Sequence, residues 1–127
     1  MRIVISLAEN EGETSKVALQ FGRASYLGVK ADKTPARIIV NPGQSKQSGA
    51  GVAAAQAVVE PPLQGEVLLT GSVGPKAWQA LKAGQLNIYQ LTAAEKTLAE
   101  AVAAFEAGKL VQLTVSKKPG LANKAGF

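Results

Sequence analysis

Glu66-Val67-Leu68-Leu69-Thr70-Gly71-Ser72-Val73-Gly74-Pro75-Lys76 decides the reading of this chain, because a buried strand breaks there into a glycine turn and then a helix. Val67 to Thr70 are apolar or β-branched without alternation, the pattern of a central strand covered by helices on both faces. Gly71 and Gly74 permit backbone angles that a Cβ disfavours, and Pro75 suits the first helical position, where its missing N–H costs nothing. The spacing predicts a helix from Pro75 to Ala83, with Trp78 and Leu81 on one face and Gly84 just past its end. Its first turn leaves N–H groups unpaired and carries partial positive charge, so an anion fits there with Lys76 beside it. Plain strand-to-helix connectivity that binds nothing has the same spacing, and on spacing alone it is the better reading.

Working outward, Arg2 to Leu7 reads as a first buried strand, followed by a polar loop from Ala8 to Ser15. Glu9, Glu11 and Glu13 crowd that loop, but sequential glutamates seldom converge on a cation, and a solvated loop is expected. Ser25 to Val29 and Ala36 to Val40 flank turn residues and predict an antiparallel hairpin. A second glycine-rich loop, Asn41 to Gly51, opens a helix with Ser48 as its expected N-cap and Glu60-Pro61-Pro62 at its end. Gly49 and Gly51 are poor helix formers there, which calls for close approach by a ligand or by a neighbouring element. Leu86 to Gln90 forms a fifth strand. Thr92-Ala93-Ala94-Glu95 has capping-box spacing and is expected to start a last helix carrying Leu98, Val102 and Phe105 on its buried stripe, ending near Gly108. Val111, Leu113 and Val115 alternate, so a short edge strand could follow.

The expected fold is α/β, a mixed five-stranded sheet with strand two antiparallel and helices on both faces. Residues 1–115 are read as one domain and 116–127 as a flexible basic tail, consistent with 127 residues in all. No apolar run approaches the roughly 20 residues that span a bilayer, and the first strand is too short for a signal peptide, so the expected location is the cytoplasm. The chain has no cysteine and no histidine, which removes thiolate and imidazole ligands and the commonest acid–base group. Fourteen Lys and Arg against nine Asp and Glu give a net charge of +5, but Lys117, Lys118 and Lys124 sit in the tail. No basic run is interleaved with aromatics, so neither a specific nucleic-acid surface nor a membrane partner is expected.

Right-handed crossovers would make strands one, three, four and five parallel and bring their following loops to one rim, where ligands of open α/β sheets bind. The candidate site gathers Asn10 or its neighbours, Gly22 and Arg23, Gly43 to Gly51, Gly71 to Lys76, and Leu91-Thr92. Two helix starts beside glycines, with Arg23, Lys46 and Lys76, favour an anion. Nothing there resembles a general base, so no catalytic residue is expected.

Phe21-Gly22-Arg23-Ala24, Asn41-Pro42, Gly49-Ala50-Gly51 with Ala54-Ala55-Gln56, Thr70 to Ala77, and Ala104 to Leu110 stand in an order and spacing that resemble the dinitrogenase iron-molybdenum cofactor biosynthesis family. That group includes NifX-like proteins, the carboxy-terminal part of NifB and an orange molybdenum-copper cluster protein. The resemblance implies a ribonuclease H-like three-layer α/β/α domain and a non-enzymatic role in carrying metal–sulfur clusters for cofactor assembly or storage. It implies an iron-molybdenum or molybdenum-copper sulfur cluster as the non-covalent cargo, with cofactor-assembly proteins as partners. Where the family often has a histidine before Phe-Gly-Arg, this chain has Gln20, and an amide is a poor ligand for a soft metal. The binding set then expected is electrostatic: backbone N–H groups around Gly49, Gly51, Gly71 and Gly74, the cations Arg23 and Lys76, and Gln20 and Ser72 as hydrogen-bond donors.

Other functions remain open on the residues. The same helix starts accept phosphate, although Lys76 after a proline matches neither a P-loop nor a dinucleotide fingerprint. Loss of the histidine also allows a protein-interaction module that no longer binds a cluster. A nuclease of ribonuclease H type is disfavoured, since Arg2 to Leu7 carries no carboxylate and Glu66 lies at the wrong end of its strand.

Overall fold

The apolar runs pair into one mixed sheet. The computed structural model describes residues 1–114. In chain order it contains β1 (Arg2–Leu7), β2 (Tyr26–Ala31), β3 (Arg37–Val40), α1 (Ala50–Val59), β4 (Val67–Thr70), α2 (Pro75–Ala83), β5 (Asn87–Gln90), α3 (Leu98–Glu106) and β6 (Val111–Leu113). The strand order is β3-β2-β1-β4-β5-β6. β1 pairs antiparallel with β2, Arg2 opposite Ala31, and parallel with β4, Ile3 opposite Val67. β2 and β3 are antiparallel, β4 and β5 parallel, and β5 and β6 antiparallel. Thus β1, β3, β4 and β5 share one direction and end at one rim.

All four residues of β4 are buried. At about 1.5–3 kcal/mol for each fully buried Val or Leu, Val67, Leu68 and Leu69 outweigh strand-propensity differences of up to about 1 kcal/mol per residue. Successive side chains enter opposite layers. Val4 and Leu68 pack with Ala54, Ala55, Val58, Ala77 and Leu81 beneath α1 and α2. Ile3, Ile5, Val67 and Leu69 pack with Leu98, Ala101 and Val102 of α3 on the other face. Helices therefore cover both sides of the sheet.

Three expectations are corrected. The sheet has six strands, not five: β6 adds to β5 with Leu113 opposite Ile88, and Leu113 is buried in the core. α1 is not capped by Ser48; its N-cap is Gly49, held at φ 74°, a left-handed conformation that costs glycine little. α3 does not start at Thr92. The chain carries two Thr-x-x-Glu runs, and the second, Thr97 to Glu100, starts the helix. In the first, the Thr92 N–H and hydroxyl both donate to Glu95 Oε1, at 2.8 and 2.9 Å, and close a turn. The helix waits until Leu98, which is fully buried and whose N–H donates to Ser15 O at 2.9 Å. The expected tail, 116–127, and Val115 lie outside the described residues.

Candidate functional site

The rim where β3 and β4 end carries a cleft of about 460 Å³ between the starts of α1 and α2. Each wall has a local cause. The Ala8 to Ala24 connection returns along β4's exit: Ser72 N–H donates to Leu19 O at 2.7 Å and Phe21 N–H to Ser72 O at 3.2 Å, which sets Gln20 beside Ser72. Phe21 is buried and anchors the turn, leaving Gly22 and the exposed Arg23 at the cleft. The second wall is the start of α1 from Gly49 to Val52, and the third is Ser72 with Gly74 to Ala77.

Seven of the eight residues expected to bind line this cleft: Gln20, Arg23, Gly49, Gly51, Ser72, Gly74 and Lys76. Gly71 does not. It is buried, and a Cβ there would stand 2.5 Å from Leu19 O, so this glycine lets the two backbone segments cross. The other glycines divide in the same way. A Cβ on Gly51 would meet the Ala77 Cβ at 3.0 Å, and one on Gly22 would meet Gly51 Cα at 2.9 Å, so both permit close packing. Gly74 faces open space. Neither Asn10, Lys46 nor Leu91 lines the cleft; Leu91 is a core residue, and Thr92 borders a separate cleft of about 270 Å³ with Lys16, Leu19 and Lys96.

Neither α1 nor α2 receives a side-chain cap, and neither has an acid in its first turn. The first intrahelical donors are Ala53, to Gly49 O at 3.0 Å, and Trp78, to Gly74 O at 2.9 Å. The preceding N–H groups of both helices therefore point out of the helix starts beside the cleft. The lining includes two cations, Arg23 and Lys76, and no carboxylate. Arg23 is also a strut: its guanidinium donates to Lys46 O and, at 3.3 Å, to Gln47 O. This was not legible from spacing, because those carbonyls lie in a loop more than twenty residues away.

The lining offers hydrogen-bond donors and positive charge but no thiolate, imidazole or carboxylate, so it suits an anion with its coordination already complete rather than a bare metal ion. Among the described residues no group of three or more metal-binding side chains comes together. The Glu9 carboxylate accepts the Lys16 N–H at 3.1 Å and Glu13 pairs with Lys30 at 3.0 Å, so the acidic loop is tied into local structure.

Residues 1–108 match the family model described as dinitrogenase iron-molybdenum cofactor. The chain belongs to this family. Among solved structures, the apo form of the orange protein from Desulfovibrio gigas is 34% identical, with a TM-score of 0.82 over 92% of this chain and 96% of that one. A Thermotoga protein provisionally described as NifB is 25% identical, with a TM-score of 0.76 over 94% of this chain and 98% of that one. No curated protein sequence matches significantly. For this member of the dinitrogenase iron-molybdenum cofactor family, Ala50 lines the cleft within the expected Gly43 to Gly51 stretch, while Phe21, Val52 and Ala77 line it outside the stretches expected to form the site. Their signal was proximity in sequence to the glycines.

Proposed function

We propose that this chain is a non-enzymatic carrier of an anionic metal–sulfur cluster, of the iron-molybdenum or molybdenum-copper kind, acting in cytoplasmic cofactor assembly or storage. One observation carries the reading: two helix starts without side-chain caps open on a single cleft that holds two cations and no acid. Membership of the dinitrogenase iron-molybdenum cofactor family and likeness to the orange protein support it. The volume falls within the range of about 300–1,000 Å³ usual for small-molecule sites. Terminal sulfides of such a cluster accept from the N–H groups of the α1 and α2 starts, Arg23 and Lys76 supply countercharge, and Gln20 and Ser72 add neutral donors. Because every contact is a hydrogen bond or a charge, the cargo can be released to an assembly partner without breaking a metal–protein bond.

Titration of the protein with tetrathiomolybdate, followed through the amide signals of Gly49, Gly51, Gly74 and Lys76, tests this directly. Saturable shifts at those residues are expected. An unmoved spectrum at millimolar anion, or tighter binding of inorganic phosphate in a parallel titration, would sink the carrier reading.

A further inference from the structure

We propose that Asn41 is the positioning residue of the cleft, a buried clamp that sets the distance between the Arg23 wall and the start of α1. The inference rests on the carrier reading and names a residue that does not touch the cargo. Asn41 follows β3 directly and is fully buried. Its Nδ2 donates to Ala24 O at 2.9 Å and lies 3.3 and 3.4 Å from Phe21 O and Gly22 O, while its Oδ1 accepts the Gly43 N–H at 2.9 Å. Its backbone joins the same segments, Asn41 N–H to Ser25 O at 3.0 Å and Gln44 N–H to Asn41 O at 3.2 Å.

The amide thus faces both ways: carbonyls of the Phe21 to Ala24 turn on one side and an N–H of the α1 approach on the other. A short side chain that is donor and acceptor at once meets this demand, whereas an aspartate has no donor and a serine reaches less far. The clamp bears on the cleft through contacts that leave no slack. Gly22, held by Asn41, lies so close to Gly51 that a Cβ would stand 2.9 Å from its Cα, and a Cβ on Gly51 would stand 3.0 Å from the Ala77 Cβ of α2. A shift of the Phe21 to Ala24 turn therefore moves Arg23 relative to both helix starts.

The test compares Asn41→Asp, which keeps the shape and the acceptor but loses the donor, with Asn41→Ser and with Val58→Ala, a fully buried α1 residue outside the cleft lining. Each full chain is titrated with tetrathiomolybdate at a temperature where urea unfolding shows it fully native. Leaving the carbonyls without their donor is expected to weaken anion binding about tenfold in the Asn41 variants, while Val58→Ala is less stable yet binds as the parent protein does. Asn41→Ser serves if Asn41→Asp does not fold. Parental affinity in a folded Asn41 variant, or an equal loss in Val58→Ala, overturns the proposal. If the parent protein itself binds no thiomolybdate, the carrier reading fails separately, and hydrogen exchange of the unliganded chains decides the clamp. Faster exchange at Ala24, Gln44 and Ala53 in the Asn41 variants supports it, and unchanged exchange there overturns it.

Discussion

The three α-helices among the described residues begin in different ways, and the difference follows the faces of the sheet. At α3 the Thr97 hydroxyl accepts the Glu100 N–H at 3.2 Å and the Glu100 carboxylate accepts the Lys96 N–H at 2.8 Å, so side chains and an acid meet the positive helix end. α1 and α2 have neither, and α2 carries Lys76 in its first turn, the sign that opposes its dipole. Caps are worth about 0.5–2 kcal/mol each, so omitting them on two neighbouring helices forgoes stability. The uncapped pair is the pair that frames the cleft. The α3 start meets its donors with its own side chains, whereas the α1 and α2 starts leave theirs without side-chain caps beside a cleft that carries two cations.

Giving α2 the chemistry of α3 is the strongest way to break this contrast. Gly74 has φ −70° and ψ 165°, the extended conformation of an N-cap, and no atom stands within 4 Å of where its Cβ would be. Gly74→Asp should therefore raise the unfolding free energy by about 0.3–1 kcal/mol. It should also weaken tetrathiomolybdate binding about a hundredfold, a loss of about 2.7 kcal/mol, because a carboxylate takes the donors and repels the anion. Urea unfolding and amide titration read the two effects, and undiminished binding would remove the functional meaning of the missing cap. The next effect concerns how α1 is held without a cap. A Cβ at Gly43 would collide with the Ala50 carbonyl oxygen and stand 2.8 Å from Gly22 O. Gly43→Ala should cost about 2 kcal/mol of stability, more than loss of the α3 cap, and a smaller cost in urea unfolding would show that this approach is loose.

How much of this was legible in the sequence depended on range. Val67 to Thr70, the Gly74-Pro75 start and the Ala31 to Pro35 turn are local signals, and they were enough to give the element order, the antiparallel β2 and the shared rim. The site glycines were visible, but their partners were not. Gly71 against Leu19 O and Gly51 against Ala77 are contacts across 52 and 26 positions, and no local pattern separates them from Gly74, which faces open space. Between two Thr-x-x-Glu runs, burial of Leu98 chose the second. The alternation of Val111, Leu113 and Val115 pointed to a short edge strand, and β6 is that strand, but with three residues it was not counted among the expected five. Asn41 stood in a recognisable Asn-Pro pair, but its task depends on carbonyls 17 to 20 positions earlier.

On the capped side, Thr97→Ala should cost about 1 kcal/mol in urea unfolding and leave thiomolybdate affinity as it was. A change in affinity would mean that the two faces are not independent. The smallest effect tests the cleft's own charge. Lys76 is exposed and sits at the positive end of α2. Lys76→Gln should stabilise the fold by about 0.3 kcal/mol, since it removes a cation from the wrong helix end. At low salt it should also weaken the anion about fivefold, the scale of one charge–charge contact in water. The affinity difference should narrow toward physiological salt, where the screening length falls to about 8 Å, whereas the donors of the helix starts keep most of their effect. Stability and affinity moving in opposite directions would identify Lys76 as kept for the anion. A variant that gains no stability and loses no affinity would mean that Lys76 is merely solvated, and that the backbone N–H groups hold the anion without it.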